Sequence, residues 1–185
     1  VPKVAKSIVI HVSGIDGSGK TTIARKLYYL IEREKLPVFL TWFRFPYFFS
    51  IPLLLLAKVA GLTRTYKAGN KRFSVHFFAP IRKVFTVLYV LDFTVYYMIK
   101  YKLRAVLPII LISDRGPLDN LVDLLVDIES IRINTLIVNY FIKLQANGLT
   151  LLAKCNYDTL IKRRLEANID PKFKIRLKLY DLLLL

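Results

Sequence analysis

Gly14-Ile15-Asp16-Gly17-Ser18-Gly19-Lys20-Thr21, followed by Thr22, is the stretch that decides how this chain reads. It fits G-x-x-x-x-G-K-[ST], a pattern that a random chain of this length would show with odds of about one in a hundred or less. The glycines permit a turn whose backbone N–H groups point inward and make a nest for phosphate oxygens. A helix starting at Thr21 adds its positive N-terminal end. Lys20 is then expected to reach the β- and γ-phosphates of ATP, and Thr21 to offer its hydroxyl to Mg²⁺. Gly14, Gly17, Ser18, Gly19, Lys20, Thr21 and Thr22 form the expected nucleotide-binding set.

The flanks supply the context that such a loop requires. Ser7 to Ser13 (SIVIHVS) is a β-branched apolar run ending at glycine, as a buried parallel strand reads. Ile23, Leu27, Leu30 and Ile31 recur at helical spacing over Thr21 to Lys35, Pro37 stops that helix, and Val38 to Phe43 reads as a second strand. Helical patterns follow over Leu53 to Ala60 and Ile81 to about Leu103, separated by a basic loop from Gly61 to Arg72. Pro108 opens a third strand that ends at Asp114. Helices over Leu118 to Ile128 and Ile131 to Ala146 lead to a fourth strand, Leu149 to Lys154, and helices over Tyr157 to Ala167 and Lys172 to Leu184 close the chain. The last segment also alternates basic and apolar residues over Lys172 to Leu179, but its length and its neighbours favour a helix. Strands alternating with helices predict an α/β fold of three layers, a mostly parallel sheet flanked by helices, built as one domain over 1–185.

Ser113-Asp114-Arg115 ends the third strand. In a parallel sheet the ligand crevice lies beyond the carboxyl ends of the strands, which puts Asp114 and Arg115 beside the phosphate loop. A carboxylate there can hold Mg²⁺, partly through water, and a guanidinium can hold a transferring phosphoryl group.

Bulk composition narrows the alternatives. Hydrophobic residues make up 55% of the 185, which excludes disorder, and one cysteine, Cys155, excludes an internal disulfide. No basic start followed by an apolar run and a small-residue cleavage site appears, so the expected location is cytoplasmic. A formal charge of +16 favours anionic partners. The basic residues are spread along the chain, with denser groups at Arg64 to Arg72 and Lys162 to Arg164, a diffuse pattern that disfavours nucleic acid. Val84 to Ile99 would rise about 24 Å as a helix, short of a hydrocarbon core of about 30 Å. Its central Asp92 also argues for a helix buried in protein. Arg82, Lys83, Lys100 and Lys102 flank it and leave peripheral membrane contact as a minor alternative.

At these residues the chain resembles the thymidylate kinase family of nucleoside monophosphate kinases, from Ile8 to about Tyr180. The resemblance implies a P-loop kinase fold and transfer of a phosphoryl group from ATP to dTMP, giving dTDP and ADP. Asp16 stands where the family has an acidic residue near the acceptor nucleotide. Arg44-Phe45-Pro46 resembles its acceptor-phosphate motif, Ser113-Asp114-Arg115 its Asp-Arg motif, and Lys162-Arg163-Arg164 the start of a lid near 162–171. Because Gly17 and Ser18 leave no arginine in the loop, the resemblance shifts the catalytic cation to Arg163 or Arg164. Lys20, Asp16, Arg115, Arg163 and Arg164 are thus the implied catalytic set, and Arg44, Phe45, Arg82, Arg115 and Asp119 the implied acceptor contacts. A homodimer through the long apolar helix is implied as well. The chain departs from the family by placing Gly116, Asp119, Asp123 and Leu124 at its thymine-reading positions. A sugar or lipid-linked acceptor, or a non-catalytic nucleotide-binding module, therefore remain as alternatives.

Other features read less sharply. Asp119, Asp123 and Asp127 line one helix face, either facing an acceptor or solvated and paired with lysines, the second reading being favoured for Asp127. Trp42, Phe43, Phe45, Tyr47, Phe48 and Phe49 cluster around Arg44 and read mainly as core. His11 reads as a hydrogen-bonded core histidine, and His76 and Cys155 have no metal-ligand spacing around them.

Overall fold

The structure, a computed structural model, describes residues 6–43, 48–102, 106–129 and 135–183. In chain order the elements are β1 (Ile8–Ser13), α1 (Lys20–Arg33), β2 (Val38–Trp42), α2 (Ile51–Val59), β3 (Thr63–Ala68), β4 (Lys71–His76) and α3 (Arg82–Tyr97). Then come β5 (Ile110–Asp114), α4 (Pro117–Asp127), α5 (Thr135–Gln145), β6 (Leu149–Leu152), α6 (Tyr157–Arg163) and α7 (Phe173–Leu182).

Four strands form a parallel sheet in the order β2-β5-β1-β6. Strand alternation sorts its side chains between two layers. Val12, Ile110 and Ile112 pack with Ala24, Leu27 and Ile31 of α1 on one face, while Leu111 joins the larger core on the other. That larger core is built on Phe85, Tyr89, Phe93 and Tyr97 of α3, Leu121 and Leu125 of α4, and Phe141 of α5. The three-layer α/β architecture expected from the alternation of elements is the one observed. Because β5 inserts between β1 and β2, the turns after β1 and β5 leave the sheet side by side, which positions the site.

The segment read as a basic loop over Gly61 to Arg72 is instead an antiparallel hairpin of β3 and β4. Ala68 pairs with Lys71 across a two-residue turn, with Gly69 at φ +58° in its first central position. Tyr66 and Phe73 stack across it at 5.6 Å. Lysines and arginines occupy its exposed positions, and these gave the stretch the appearance of a solvated loop.

Asp92 explains how an acid sits in the apolar α3. It is 2% exposed and accepts hydrogen bonds from Phe49 N (2.6 Å), Ser50 N (2.9 Å) and Ser50 Oγ (2.6 Å), which fastens the start of α2 to the middle of α3. The charge is fully engaged by donors, so its burial is tolerated. The aromatic cluster splits. Phe43 is buried in the core, whereas Trp42, Phe48 and Phe49 are exposed, and Phe45 and Tyr47 lie outside the described residues.

The acidic face of α4 does not point to solvent. It meets a matching face of α7, where Lys172, Arg176 and Tyr180 repeat every four residues in the opposite direction. Tyr180 donates to Asp119 (2.7 Å), Arg176 pairs with Asp123 (3.4 Å) and Lys172 with Asp127 (3.6 Å). The solvated reading of Asp127 is therefore wrong, although its lysine partner is real. Burial pushes the Asp127 carboxyl up to about 7 against the pull of Lys172, whose own pKa burial lowers.

Candidate active site

The loop between β1 and α1 closes on itself through Ser18 N donating to Ile15 O (3.1 Å). Gly17 (φ +93°) and Gly19 (φ +96°) hold the left-handed conformations that turn the backbone amides inward. A Cβ at Gly19 would meet nothing within 4 Å, so the concave side is open to a ligand. Lys20 is 5% exposed, and its Nζ donates back to Gly14 O and lies 3.4 Å from Asp16 Oδ1. Burial, and after it the Arg115 guanidinium, lowers its pKa against the pull of Asp16.

Thr21 Oγ1 donates to Asp114 Oδ2 at 2.6 Å. Asp114 lies on the α1 face of β5, in register with Val12, so the sheet itself sets this pairing. A hydroxyl and a carboxylate side by side at the mouth of a phosphate loop are hard oxygen donors of the kind Mg²⁺ takes. The donor set fits the ion, with Thr21 and Asp114 as the groups that would hold it.

Asp16 is the junction of the site. Its carboxylate meets the Arg115 guanidinium directly, Arg164 Nη1 at 2.8 Å and Lys20 at 3.4 Å. Arg115 adopts a left-handed backbone (φ +80°), unusual away from glycine, and is 7% exposed. Burial disfavours its charge, but Asp16, Asp123 and Asp119 outweigh that and raise its pKa. Arg163 and Arg164, expected to begin a lid, both rest on the loop. Arg163 Nη1 donates to Gly17 O (3.3 Å), and the Arg164 stem lies 3.2 Å from where a Cβ of Gly17 would sit. α6 ends at Arg163, the chain is extended at Arg164, and a 3₁₀ turn over Leu165–Asn168 follows.

Two cavities meet at Asp16. One of about 550 Å³ runs along the phosphate loop from Asp16 to Ile23 and reaches Arg115 and Arg163. The other, about 330 Å³, lies behind Ile15 and Asp16 and is walled by Phe73 to His76 of β4, by Asp123 and Asp127, by Arg164, and by Asp170, Phe173 and Arg176. Arg176 spans it, bonded to Asp170 (2.6 Å) and Asp123 (3.4 Å). Sequence reasoning did not anticipate the β4 wall or the role of Arg176. The spacing of Lys172, Arg176 and Tyr180, complementary to that of the three aspartates, was the available signal for Arg176.

The remaining acceptor candidates fall elsewhere. Asp119 is 1% exposed and accepts from Gly14 N (3.2 Å), Gly116 N (2.9 Å) and Tyr180 Oη (2.7 Å), so it is a tether and lines neither cavity. Arg82 is exposed at the start of α3, donates to Ala79 O (3.3 Å) and lines neither cavity either. Arg44 and Phe45 lie outside the described residues. His11 is fully buried but neither ring nitrogen has a partner, contrary to the expected hydrogen-bonded histidine; its ring lies against Tyr101, whose hydroxyl engages Ser113. Burial lowers its pKa to about 4. Among the described residues no group of three or more His, Cys, Asp or Glu could hold a metal ion.

No protein-family model matches this chain, and no curated protein does. Among solved structures the fold matches the crystal structure of thymidylate kinase from Ehrlichia chaffeensis, with a TM-score of 0.52 over 97% of this chain and 99% of that one. The two are 18% identical, a level at which the likeness establishes a shared P-loop kinase-like fold.

Proposed function

We propose that this protein is an ATP-dependent phosphotransferase of the nucleoside monophosphate kinase type, similar in reaction to thymidylate kinase. The observation that carries the reading is Asp16, clasped by Lys20, Arg115 and Arg164 at the meeting point of the two cavities. Phosphoryl transfer needs a donor and an acceptor held in line, with cations gathered where charge spreads over the migrating group. The 550 Å³ cleft takes the triphosphate and the 330 Å³ cavity takes the acceptor.

The loop amides around Gly17, Gly19, Lys20 and Thr21 hold the phosphates, and Lys20 turns from Gly14 O and Asp16 to the β- and γ-oxygens. Thr21 and Asp114 are the residues that would hold Mg²⁺, which when bound would neutralise charge developing on the phosphates. Arg115 and the lid arginines Arg163 and Arg164 meet the equatorial oxygens, and Asp16 orients the acceptor. A phosphate acceptor is already ionised near neutrality and needs no general base. A second reading, a hydroxyl acceptor such as a sugar or lipid-linked alcohol, draws support from the carboxylates of Asp16, Asp123 and Asp170 that face the 330 Å³ cavity. There Asp16 would take the hydroxyl proton.

Turnover of ATP against a panel of nucleoside monophosphates and polyols, read as ADP released, separates the two readings. Lys20→Ala is expected to lower any such rate by about a hundredfold or more. Absence of saturable ATP·Mg²⁺ uptake by the folded wild-type protein would overturn the proposal.

A further inference from the structure

Phosphoryl transfer fixes how an acceptor must lie in the 330 Å³ cavity. Its phosphate has to meet the donor where the two cavities join, at Asp16. The rest of the acceptor then extends toward β4, α4 and α7. Phe73 and Phe173 give that part of the cavity apolar walls, and Asp123, Asp170 and Arg176 are polar groups gathered on it.

Most of the carboxylate oxygens around the cavity are spent within the protein. Asp16 engages Lys20 and Arg115 through Oδ1 and Arg164 through Oδ2. Asp170 accepts from Arg176 Nη1 on Oδ2 (2.6 Å) and from Lys172 N on Oδ1 (2.9 Å). Asp127 is taken by Lys172. Asp123 differs. Its Oδ1 meets Arg176 Nε at 3.4 Å, a long single contact. Among the described residues, Asp123 Oδ2 and Arg176 Nη2 have no hydrogen-bond partner. A brace between two helices would close as a two-pronged pair, with both oxygens on the guanidinium. Here one carboxylate oxygen and one guanidinium nitrogen are left over on paired residues that wall a cavity.

We propose, resting on the nucleoside monophosphate kinase reading above, that Asp123 and Arg176 select guanine as the acceptor base. An ionised carboxylate only accepts and a guanidinium only donates. The pair therefore matches a base edge that gives two N–H groups and carries a carbonyl beside them. Guanine has that edge: N1–H and the 2-amino group donate to Asp123, and O6 accepts from Arg176. Thymine and uracil hold one N–H between two carbonyls. Since Asp123 and Asp170 both bond to Arg176, a second carbonyl there would face carboxylate lone pairs. Adenine and cytosine offer an amino group but no ring N–H next to it, so one carboxylate oxygen would stay unmet. A polyol brings donors but no flat apolar face for Phe73 and Phe173.

The test is ADP release from ATP·Mg²⁺ by the full chain with GMP, IMP, dTMP and AMP as acceptors. The kcat/KM for GMP should exceed that for dTMP and for AMP by about a hundredfold or more. IMP keeps O6 and N1–H but lacks the 2-amino group, and should fall behind GMP by about tenfold or more. Asp123→Asn keeps the side-chain volume and replaces an accepting oxygen with a donating amide. It should bring the ratio of GMP to IMP toward one, whereas a role confined to bracing α7 would lower both acceptors alike. If that variant folds poorly, the wild-type ratios decide alone. Two results would overturn the guanine site and leave the kinase reading standing. These are dTMP or AMP used as well as GMP, or a GMP-to-IMP ratio that Asp123→Asn does not move. No ADP release with any nucleoside monophosphate would overturn both.

Discussion

Asp119 is expected to act as a tether, and replacing it tests that directly. Asp119→Ala removes three hydrogen bonds from a side chain 1% exposed and leaves the N–H groups of Gly14 and Gly116 without partners in a dry interior. An orphaned buried donor costs about 1–3 kcal/mol, and the 3.2 Å contact to Gly14 belongs at the low end of that range. With the lost tyrosine contact the sum is about 3–5 kcal/mol. In a domain of this size that is a fall in Tm of roughly 6–20 °C, at about 2–4 °C per kcal/mol. Asp119→Asn keeps one oxygen for Gly116 N and should fall about half as far. Tyr180→Phe alone should cost about 1 kcal/mol, and a double-mutant cycle with Asp119→Asn should show coupling of similar size. Thermal denaturation followed by circular dichroism, with ATP titration of each variant, measures all of this. A group that touches only the acceptor would raise the acceptor KM and leave melting unchanged. An Asp119→Ala protein melting within about 2 °C of wild type refutes the tether.

Gly14→Ala should be destabilising by about 2 kcal/mol or more and should weaken ATP uptake in parallel. Its Cβ would sit 2.5 Å from the backbone oxygen of Ala153, at φ +141°, and a main-chain atom of β6's extension cannot step aside cheaply. His11 and Asp127 make opposed contributions to acid stability. The depressed His11 pKa gives stability that is present above about 6.5 and lost as pH falls toward about 4. The raised Asp127 pKa gives stability that is present below about 4 and lost as pH rises toward about 7. Relative to wild type, Asp127→Asn should therefore gain stability as pH rises through that window, and His11→Leu should gain as pH falls. Each difference is on the order of 1 kcal/mol per pH unit, measurable by urea unfolding at several pH values.

The parallel sheet and the phosphate loop were legible because their signals are local. β-branched runs mark β1 and β5, the glycine spacing marks the loop, and alternation with helices implies parallel strands. The hairpin was hidden because its alternation is carried by lysines and arginines, while the pair that shows it is a strand, Tyr66 and Phe73, meets only after the turn has formed. The three aspartates of α4 were visible as a row, but whether such a row faces water or a partner depends on a helix 50 residues later in the chain, and Arg176 sits 53 residues from Asp123. The burial of His11 was legible, but its lack of hydrogen-bond partners was not. Its neighbours Ser113 and Tyr101 are polar, yet they bond to each other and leave the imidazole without a partner.

The bond from Tyr180 to Asp119 also has a bearing on synthesis. During translation the phosphate loop leaves the ribosome long before α7 emerges. Until it does, the carboxylate that steadies Gly14 lacks its third donor, and the aspartates beside it lack Arg176 and Lys172. A nascent chain can thus carry its complete phosphate loop before the tether that steadies it is in place, so that the loop is fully braced only once α7 has docked.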